Sequence, residues 1–180
     1  MGKNTQPEKT YNGRGMSKIL QRELSSGGIV FKKENGNILW AVAASSPNKD
    51  FPKVVWRLPK GWIDDTDSET PGPMASGKIK ADEDSLQKTA VREVSEEVGV
   101  KAKILQKIGT EIYTYTHPKR GRILKFVTFY LMEWEKDLLE GFGWETSEIA
   151  WLHYEEAYKK LSFSGEKQML KKAKEILDKS

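Results

Sequence analysis

No cysteine occurs in this 180-residue chain, which removes disulfides, zinc–thiolate sites and thiol nucleophiles from consideration and suits a reducing compartment. Histidine is almost as scarce: His117 and His153 are the two present. No Gly-x-Ser-x-Gly elbow accompanies them, so a serine-hydrolase triad has no foothold. No apolar run approaches the ~18 residues of a membrane span, and the polar N-terminus lacks the core of a signal peptide. The cytoplasm is the expected location. Internal repeats are absent too. What the chain has instead is charge: 30 Lys and Arg against 26 Asp and Glu, a net +4, with 31% charged and 37% apolar residues. That is the balance of one soluble globular domain. Its mild basic excess suits a polyanionic small molecule without requiring nucleic acid.

The apolar pattern is that of an α/β fold. Residues 24–33 and 38–44 are predicted as strands joined at Glu34-Asn35-Gly36-Asn37, where Asn-Gly favours a tight hairpin turn. A short strand at 54–58 runs into Pro59-Lys60-Gly61. Residues 65–80, rich in Pro, Gly and small polar side chains, predict a loop acting as a mobile flap outside the core. A helix over 84–98 lines up Leu86, Ala90, Val94 and Val98 on one stripe. Two longer strands, 102–116 and 122–134, flank a turn from His117 to Gly121. Residues 149–152 predict a last strand, and 154–160 and 166–177 two helices, the latter with Met169, Leu170, Ala173, Ile176 and Leu177 on one face. The polar stretch 1–21 is expected to be a flexible arm, leaving 22–180 as one domain with an inserted loop at about 65–81.

The chemistry is densest in Arg92-Glu93-Val94-Ser95-Glu96-Glu97-Val98-Gly99-Val100. Three carboxylates at i, i+3 and i+4 project from one side of a helix, and Gly99 stands where a left-handed residue ends it. Carboxylates so close ionise together only if a cation sits among them. Oxygen donors without His or Cys favour Mg²⁺ or Mn²⁺, ions that serve phosphate chemistry by screening charge and making hydroxide from water.

This string resembles the second half of the Nudix box, written G, five residues, E, seven residues, then R-E-U-x-E-E-x-G-U with U aliphatic. Ser25-Ser26-Gly27-Gly28-Ile29-Val30-Phe31 is similar to the family's first strand, and Trp56-Arg57-Leu58-Pro59-Lys60-Gly61 to its approach to the box. The resemblance implies an α/β/α sandwich with a mixed central sheet and a C-terminal helix. It implies a metal site of Glu93, Glu96, Glu97 and the Gly61 carbonyl, with Arg92 and Gly99 structural. It places Lys60 beside the phosphates. It further implies a carboxylate from the loop before the last strand, Glu145 ahead of Glu148, as ligand or base. Tyr113 and Tyr115 are implied as stacking rings and Lys125 as a phosphate-binding amine. Lys119, Arg120 and Arg122 read as a solvated basic turn.

The pattern breaks before the helix. Asp84 stands where the family has Glu, and 22 residues separate it from Gly61 where five are expected. A second register takes Gly77 and Glu83, which leaves eight residues before Arg92; Gly61 is preferred because Leu-Pro-Lys-Gly follows directly on a strand. In the family this first acid braces the box arginine. Inside the insertion, Gly72-Pro73-Met74-Ala75-Ser76-Gly77-Lys78 mimics a phosphate-binding P-loop, but Ile79 replaces the required hydroxyl and no buried strand precedes it.

The resemblance implies Mg²⁺- or Mn²⁺-dependent hydrolysis of a pyrophosphate bond in a nucleoside diphosphate-linked substrate. The closest pattern is that of dinucleoside polyphosphate hydrolases, so a diadenosine polyphosphate is the expected substrate. Oxidised-nucleotide, capped-RNA and diphosphoinositol phosphate hydrolases share much of it. The rival class is a non-catalytic Nudix module sensing a nucleotide or RNA, which three clustered negative charges argue against.

Overall fold

The structure is a computed structural model and describes residues 20–67 and 69–179. Residues 1–19 of the expected arm lie outside the described residues, and Gln21 is already the first residue of a strand. Strand β1 (Gln21–Glu34) and strand β2 (Asn37–Ser45) form the expected hairpin. Asn35 and Gly36 between them have φ of 49° and 78°, both in the left-handed region a two-residue turn demands. Then come β3 (Trp56–Arg57), β4 (Lys60–Trp62), β5 (Asp65–Asp67), β6 (Thr70–Pro71) and helix α1 (Glu83–Val98). The chain continues through β7 (Val100–His117), β8 (Gly121–Asp137), β9 (Thr146–Leu152), α2 (Tyr154–Lys160) and α3 (Ser164–Leu177).

Among the described residues these strands make a seven-stranded sheet of order β3-β2-β1-β8-β7, with β4 also on β1 and β9 also on β2. The sheet is mixed, because β1 runs parallel to β8 and antiparallel to β2 and β4. Ala90, Val94 and Val98 of α1 pack with Val30, Tyr130 and Met132 on one face. Ala157 and Leu161 of α2, with Met169, Leu170 and Ala173 of α3, pack with Ile29, Phe31, Phe129 and Leu131 on the other. Helices on both sides of a mixed sheet form the expected α/β/α sandwich. No helix among the described residues is long and apolar enough to cross a membrane.

Alternation along the strands divides the chemistry between the faces. The register Ser25↔Trp62 and Gly27↔Lys60 puts Lys60 and Trp62 on the face of Glu23, whose partner on β8 is Lys125. Across β7, Tyr113 pairs with Lys125 and Glu111 with Val127, so both share that face. Gly61 pairs with Ser26 on the opposite face, the one that carries α1. A side chain at Gly28 would place its Cβ 2.4 Å from Val94, so α1 lies almost directly on β1.

The insertion differs from the expected mobile flap. It holds the β5–β6 hairpin, and its Ala75 is fully buried. Leu24 N–H donates to the Ala75 carbonyl at 2.7 Å, docking the segment on β1. The P-loop mimic wraps around Asp64: the N–H groups of Met74 and Ala75 donate to its two carboxylate oxygens at 3.1 and 2.6 Å. The N–H donors of this loop gather around an anion, and the anion is the chain's own. Composition hid this because the docking bonds are made to residues outside the segment. Asp64→Ala strips two charge-assisted acceptors from a part-buried loop, and a loss on the order of 1–3 kcal/mol is expected. Urea denaturation and limited proteolysis check it: unchanged stability with no new cleavage between residues 65 and 80 would contradict this role for Asp64.

Candidate active site

Helix α1 starts at an N-cap, Asp82, whose carboxylate accepts from Ser85 N–H at 2.8 Å. It ends at Gly99, whose φ is 75° and whose N–H donates to Ser95 O at 3.1 Å. The helix therefore presents Glu93, Glu96 and Glu97 in its last turn and a half. Glu93 and Glu97 are buried, at 6% and 3% exposure, and Glu96 is exposed. Gly61 is pressed against this cluster: a Cβ there would lie 2.2 Å from the Glu93 carboxyl carbon. Gly77, the glycine of the second register, has only Leu24 nearby, at 3.5 Å. Of the two candidate glycines, Gly61 is the one that lies against the carboxylates.

Each carboxylate is held by a cation or an N–H. Arg92 pairs with Glu93 at 2.7 Å and Glu96 at 2.9 Å, and donates to the Trp62 carbonyl at 3.0 Å. Arg57 Nη2 pairs with Glu97 Oε1, and Lys60 N–H donates to Glu97 Oε2 at 2.8 Å. Burial pushes the Glu93 carboxyl up to about 8. Arg92 opposes that shift, while the charges of Glu97, Glu96 and Glu145 add to it. Glu97 is also raised, by burial first, although Arg57 and Lys60 oppose it.

Glu145 is exposed, yet its charge reaches both buried carboxyls. The loop before β9 brings it there. Gly143 N–H donates to Glu96 O at 2.6 Å and Leu138 N–H to Gly99 O at 2.9 Å. A Cβ on Gly99 would meet Gly141 at 2.6 Å. Gly99 thus serves twice, in ending the helix and in letting this loop approach.

The neighbouring acids differ from what the resemblance implied. Asp84 is exposed and pairs with Lys88 at 2.7 Å. Glu83 accepts from Tyr130 Oη at 2.7 Å and pairs with Lys107 at 2.7 Å, a hold that lowers its pKa, Lys107 contributing most. Neither contacts Arg92, whose partners are the cluster itself and the Trp62 carbonyl.

Lys60 is not a solvated lysine. Its side chain is 8% exposed and pairs with Glu166 of α3, itself 2% exposed, which also accepts from Leu58 N–H at 2.8 Å. Lys125 lies 3.4 Å from Glu23 and over the Tyr115 ring at 5.8 Å. Glu23, fully buried, accepts from Tyr115 Oη at 2.8 Å and pairs with Arg120 at 2.5 Å. Arg120 in turn lies 5.4 Å from the Trp62 ring, so one member of the expected solvated turn is built into the site. The Tyr113 and Tyr115 rings are 6.3 Å apart. Burial first, and nearby carboxylates second, raise both phenols, so they stay protonated.

Sequence reasoning missed Arg57, Glu166, Glu23 and Glu111. Arg57 precedes Leu-Pro-Lys-Gly, and Glu166 sits in the first turn of α3, where an acid is usual for helix-dipole reasons; neither local signal names a partner. Glu111 Oε2, Arg57 Nε, Arg120 Nε and Ser25 Oγ are buried without a hydrogen-bond partner among the described residues. Buried polar atoms left unsatisfied point to a ligand or ion that completes them, and these share the face of Lys125 or border it.

A hard divalent cation fits the donors: they are oxygens throughout, the missing side chain at Gly61 leaves its backbone against Glu93, and Glu93 lacks enough positive charge to ionise normally. Among the described residues no three acidic or histidine side chains are gathered at ligand spacing. The raised Glu93 has a consequence for metal-free protein. A carboxyl favouring its proton in the fold costs nothing below its ordinary pKa of 4.5, and the penalty grows as pH climbs toward about 8. Each pK unit is about 1.4 kcal/mol, and each kcal/mol about 2–4 °C for a domain of this size. In chelator, Glu93→Gln should melt several degrees above wild type at pH 8 and close to it at pH 5. Equal separation at both values would show that Glu93 ionises freely.

A family model described as NUDIX domain matches residues 22–173. The chain is 29% identical over 158 residues to a Mycobacterium tuberculosis protein carrying the name mutator protein MutT4, an alignment covering 87% of this chain and 56% of that one. It therefore spans just over half the length of that relative. Among solved structures, a C. elegans Ap4A hydrolase binary complex superposes with a TM-score of 0.62 at 19% identity, covering 88% of this chain and 99% of that one. The NUDIX domain of Shewanella oneidensis NrtR, complexed with ADP ribose, gives 0.61 at 15% identity, covering 87% and 88%. These two likenesses are of fold. With the family model spanning most of the chain and Glu93 of α1 lying against Gly61, this protein belongs to the NUDIX domain family.

Proposed function

We propose that the protein is a Mg²⁺-dependent pyrophosphohydrolase acting on a nucleoside diphosphate-linked substrate, a diadenosine polyphosphate. The observation that carries this reading is the path leading from the carboxylates to the tyrosines. Glu97 is tied to Arg57 and to the Lys60 backbone, and the Lys60 side chain emerges on the face of Lys125, Tyr113 and Tyr115. Lys60 and Arg57 are both close enough to add to the lowering of the Lys125 amine, which burial dominates and Glu23 opposes. The cations and rings expected beside the substrate thus sit within one another's reach.

Glu93, Glu96, Glu97 and the Gly61 carbonyl would hold the cation, with Glu145 facing them from its loop. Bound there, Mg²⁺ would polarise phosphate oxygens and lower the cost of making hydroxide. Glu93, or Glu145 from its loop, would take the proton from water. Arg92 orients Glu93 and Glu96. Lys60 and Lys125 each have N–H donors beyond those their carboxylate partners use, and a phosphate chain would take these up. Tyr113 and Tyr115 would stack on a base. The C. elegans neighbour is an Ap4A hydrolase and the Mycobacterium relative a mutator protein, so the test must separate these chemistries.

Phosphate and nucleotide release from diadenosine tetra- to hexaphosphates, 8-oxo-dGTP and ADP-ribose, with and without Mg²⁺, provides that test. The diadenosine substrates are expected to give the highest kcat/KM, with no turnover in chelator. A tenfold preference for 8-oxo-dGTP or ADP-ribose would discard the substrate assignment and leave the hydrolase reading standing. Glu96→Gln and Glu97→Gln should each lower kcat by at least ~10²-fold while keeping the fold, since each removes a ligand and its charge. Turnover at the wild-type level in either variant would remove the metal site from α1.

A further inference from the structure

Three cations stand where the carboxylate cluster opens onto the tyrosine face, and each has one carboxylate partner. Lys60 pairs with Glu166, Lys125 with Glu23, and Arg57 with Glu97. The partners are not equivalent. Glu166 lies on α3 and Glu23 on β1, both outside the box helix, whereas Glu97 belongs to the acidic stripe that a divalent cation would claim. When that cation takes Glu97, Lys60 and Lys125 keep their partners and Arg57 loses its own. Arg57 also has a donor to spare. Its Nε is buried and has no hydrogen-bond partner among the described residues, and its side chain is 23% exposed while that of Glu97 is 3%. Its charge already reaches the Lys125 amine. A guanidinium offers its N–H groups as a planar fork suited to two oxygens of one phosphate.

We propose that Arg57 is a phosphate-binding residue that exchanges partners: it closes on Glu97 while the cation is absent and on a substrate phosphate when the cation is present. The exchange rests on the pyrophosphohydrolase reading and adds to it a residue, Arg57, and a sequence of events. In the metal-free protein Arg57 neutralises a carboxylate that burial makes costly to ionise. On loading, the arriving positive charge repels Arg57 from Glu97 just as the substrate brings negative charge to its other side. One side chain thereby serves as a stand-in for the metal and then as a ligand for the phosphate. Arginine at this position would therefore act against metal binding and in favour of substrate binding.

Those opposite signs make the test. Binding of Mn²⁺ alone, read from the signal of free Mn²⁺, is compared with binding of methylenediphosphonate, a hydrolysis-resistant pyrophosphate stand-in, at saturating Mg²⁺. In Arg57→Gln, Mn²⁺ alone should bind about 3- to 10-fold more tightly because its competitor is gone, and the diphosphonate at least about tenfold more weakly. Arg57→Lys keeps the charge without the fork, so Mn²⁺ affinity should stay within about twofold of wild type while diphosphonate binding still weakens. A structural Arg57 would move both affinities in the same direction, and that result, or unchanged diphosphonate binding in either variant, overturns the exchange. Should Arg57→Gln not fold, leaving Glu97 unpaired, the diphosphonate affinity of Arg57→Lys decides alone. A wild type that binds neither probe would instead sink the pyrophosphohydrolase reading, a failure distinct from that of Arg57.

Discussion

Burying two carboxylates in adjacent positions of one helix face, with a third beside them, is the constraint from which the rest of the site follows. Glu93 and Glu97 are 6% and 3% exposed, and transferring such groups from water is expensive unless each is paired and hydrogen-bonded. The chain answers with Arg92 on the same helix, Arg57 from β3, the Lys60 N–H from β4 and a glycine where any side chain would collide with Glu93. Even so, both carboxyls retain raised pKa values. The protein alone under-neutralises this cluster. A fold that only needed to be stable would gain by replacing either acid with a well-packed apolar residue, so their burial is a functional expense.

Strand β4 is the hinge of the arrangement in a geometric sense. In three residues it turns Lys60 toward the tyrosine face and Gly61 toward α1, because successive side chains of a strand point to opposite sides. The helix face and the open sheet face are thereby connected around one short edge. Lys60 then anchors α3 through Glu166, which also takes the Leu58 N–H. The C-terminal helix is consequently tied to the same corner as the box helix. Glu111 lies close by as well: a Cβ on Gly165 would fall 1.7 Å from its Oε1, so a side chain there would displace the Glu111 carboxylate.

What could be read from sequence was what is determined locally. Asn35-Gly36 announced its hairpin because few residue pairs tolerate two consecutive positive φ values, and Gly99 announced the end of α1 for the same reason. The α2 boundaries, 154 and 160, were legible from periodicity and match the structure. The carboxylate stripe was legible because helical spacing alone places it. What could not be read depends on partners far along the chain. The pairing of Lys60 was hidden because its partner is 106 residues away, and that of Arg57 because Glu97 is 40 residues away. The insertion read as a loose flap because composition counts its prolines and glycines but not the bond from Leu24 to Ala75. Its P-loop mimic, set aside on sequence, does turn N–H donors toward an anion, the carboxylate of Asp64.

The pairing of Lys60 and Lys125 also limits how far the charge of this face reaches. Counting cations alone, Arg57, Lys60, Arg120 and Lys125 suggest a strongly positive funnel that would draw in any polyanion. Their carboxylate partners, Glu97, Glu166 and Glu23, cancel most of that field at a distance. Glu23 alone answers to both Arg120 and Lys125. Long-range attraction is therefore weak, and discrimination falls to contacts made at hydrogen-bond range, where unsatisfied donors such as Arg57 Nε and Arg120 Nε are available. Such contacts are directional and short-ranged, so a phosphate chain is rewarded for fitting the row of donors and not merely for carrying charge. A nucleic-acid backbone, bound largely through counterion release, gains little from cations already paired. The same pairing that makes these groups costly to bury thus limits what charge alone can attract to this face.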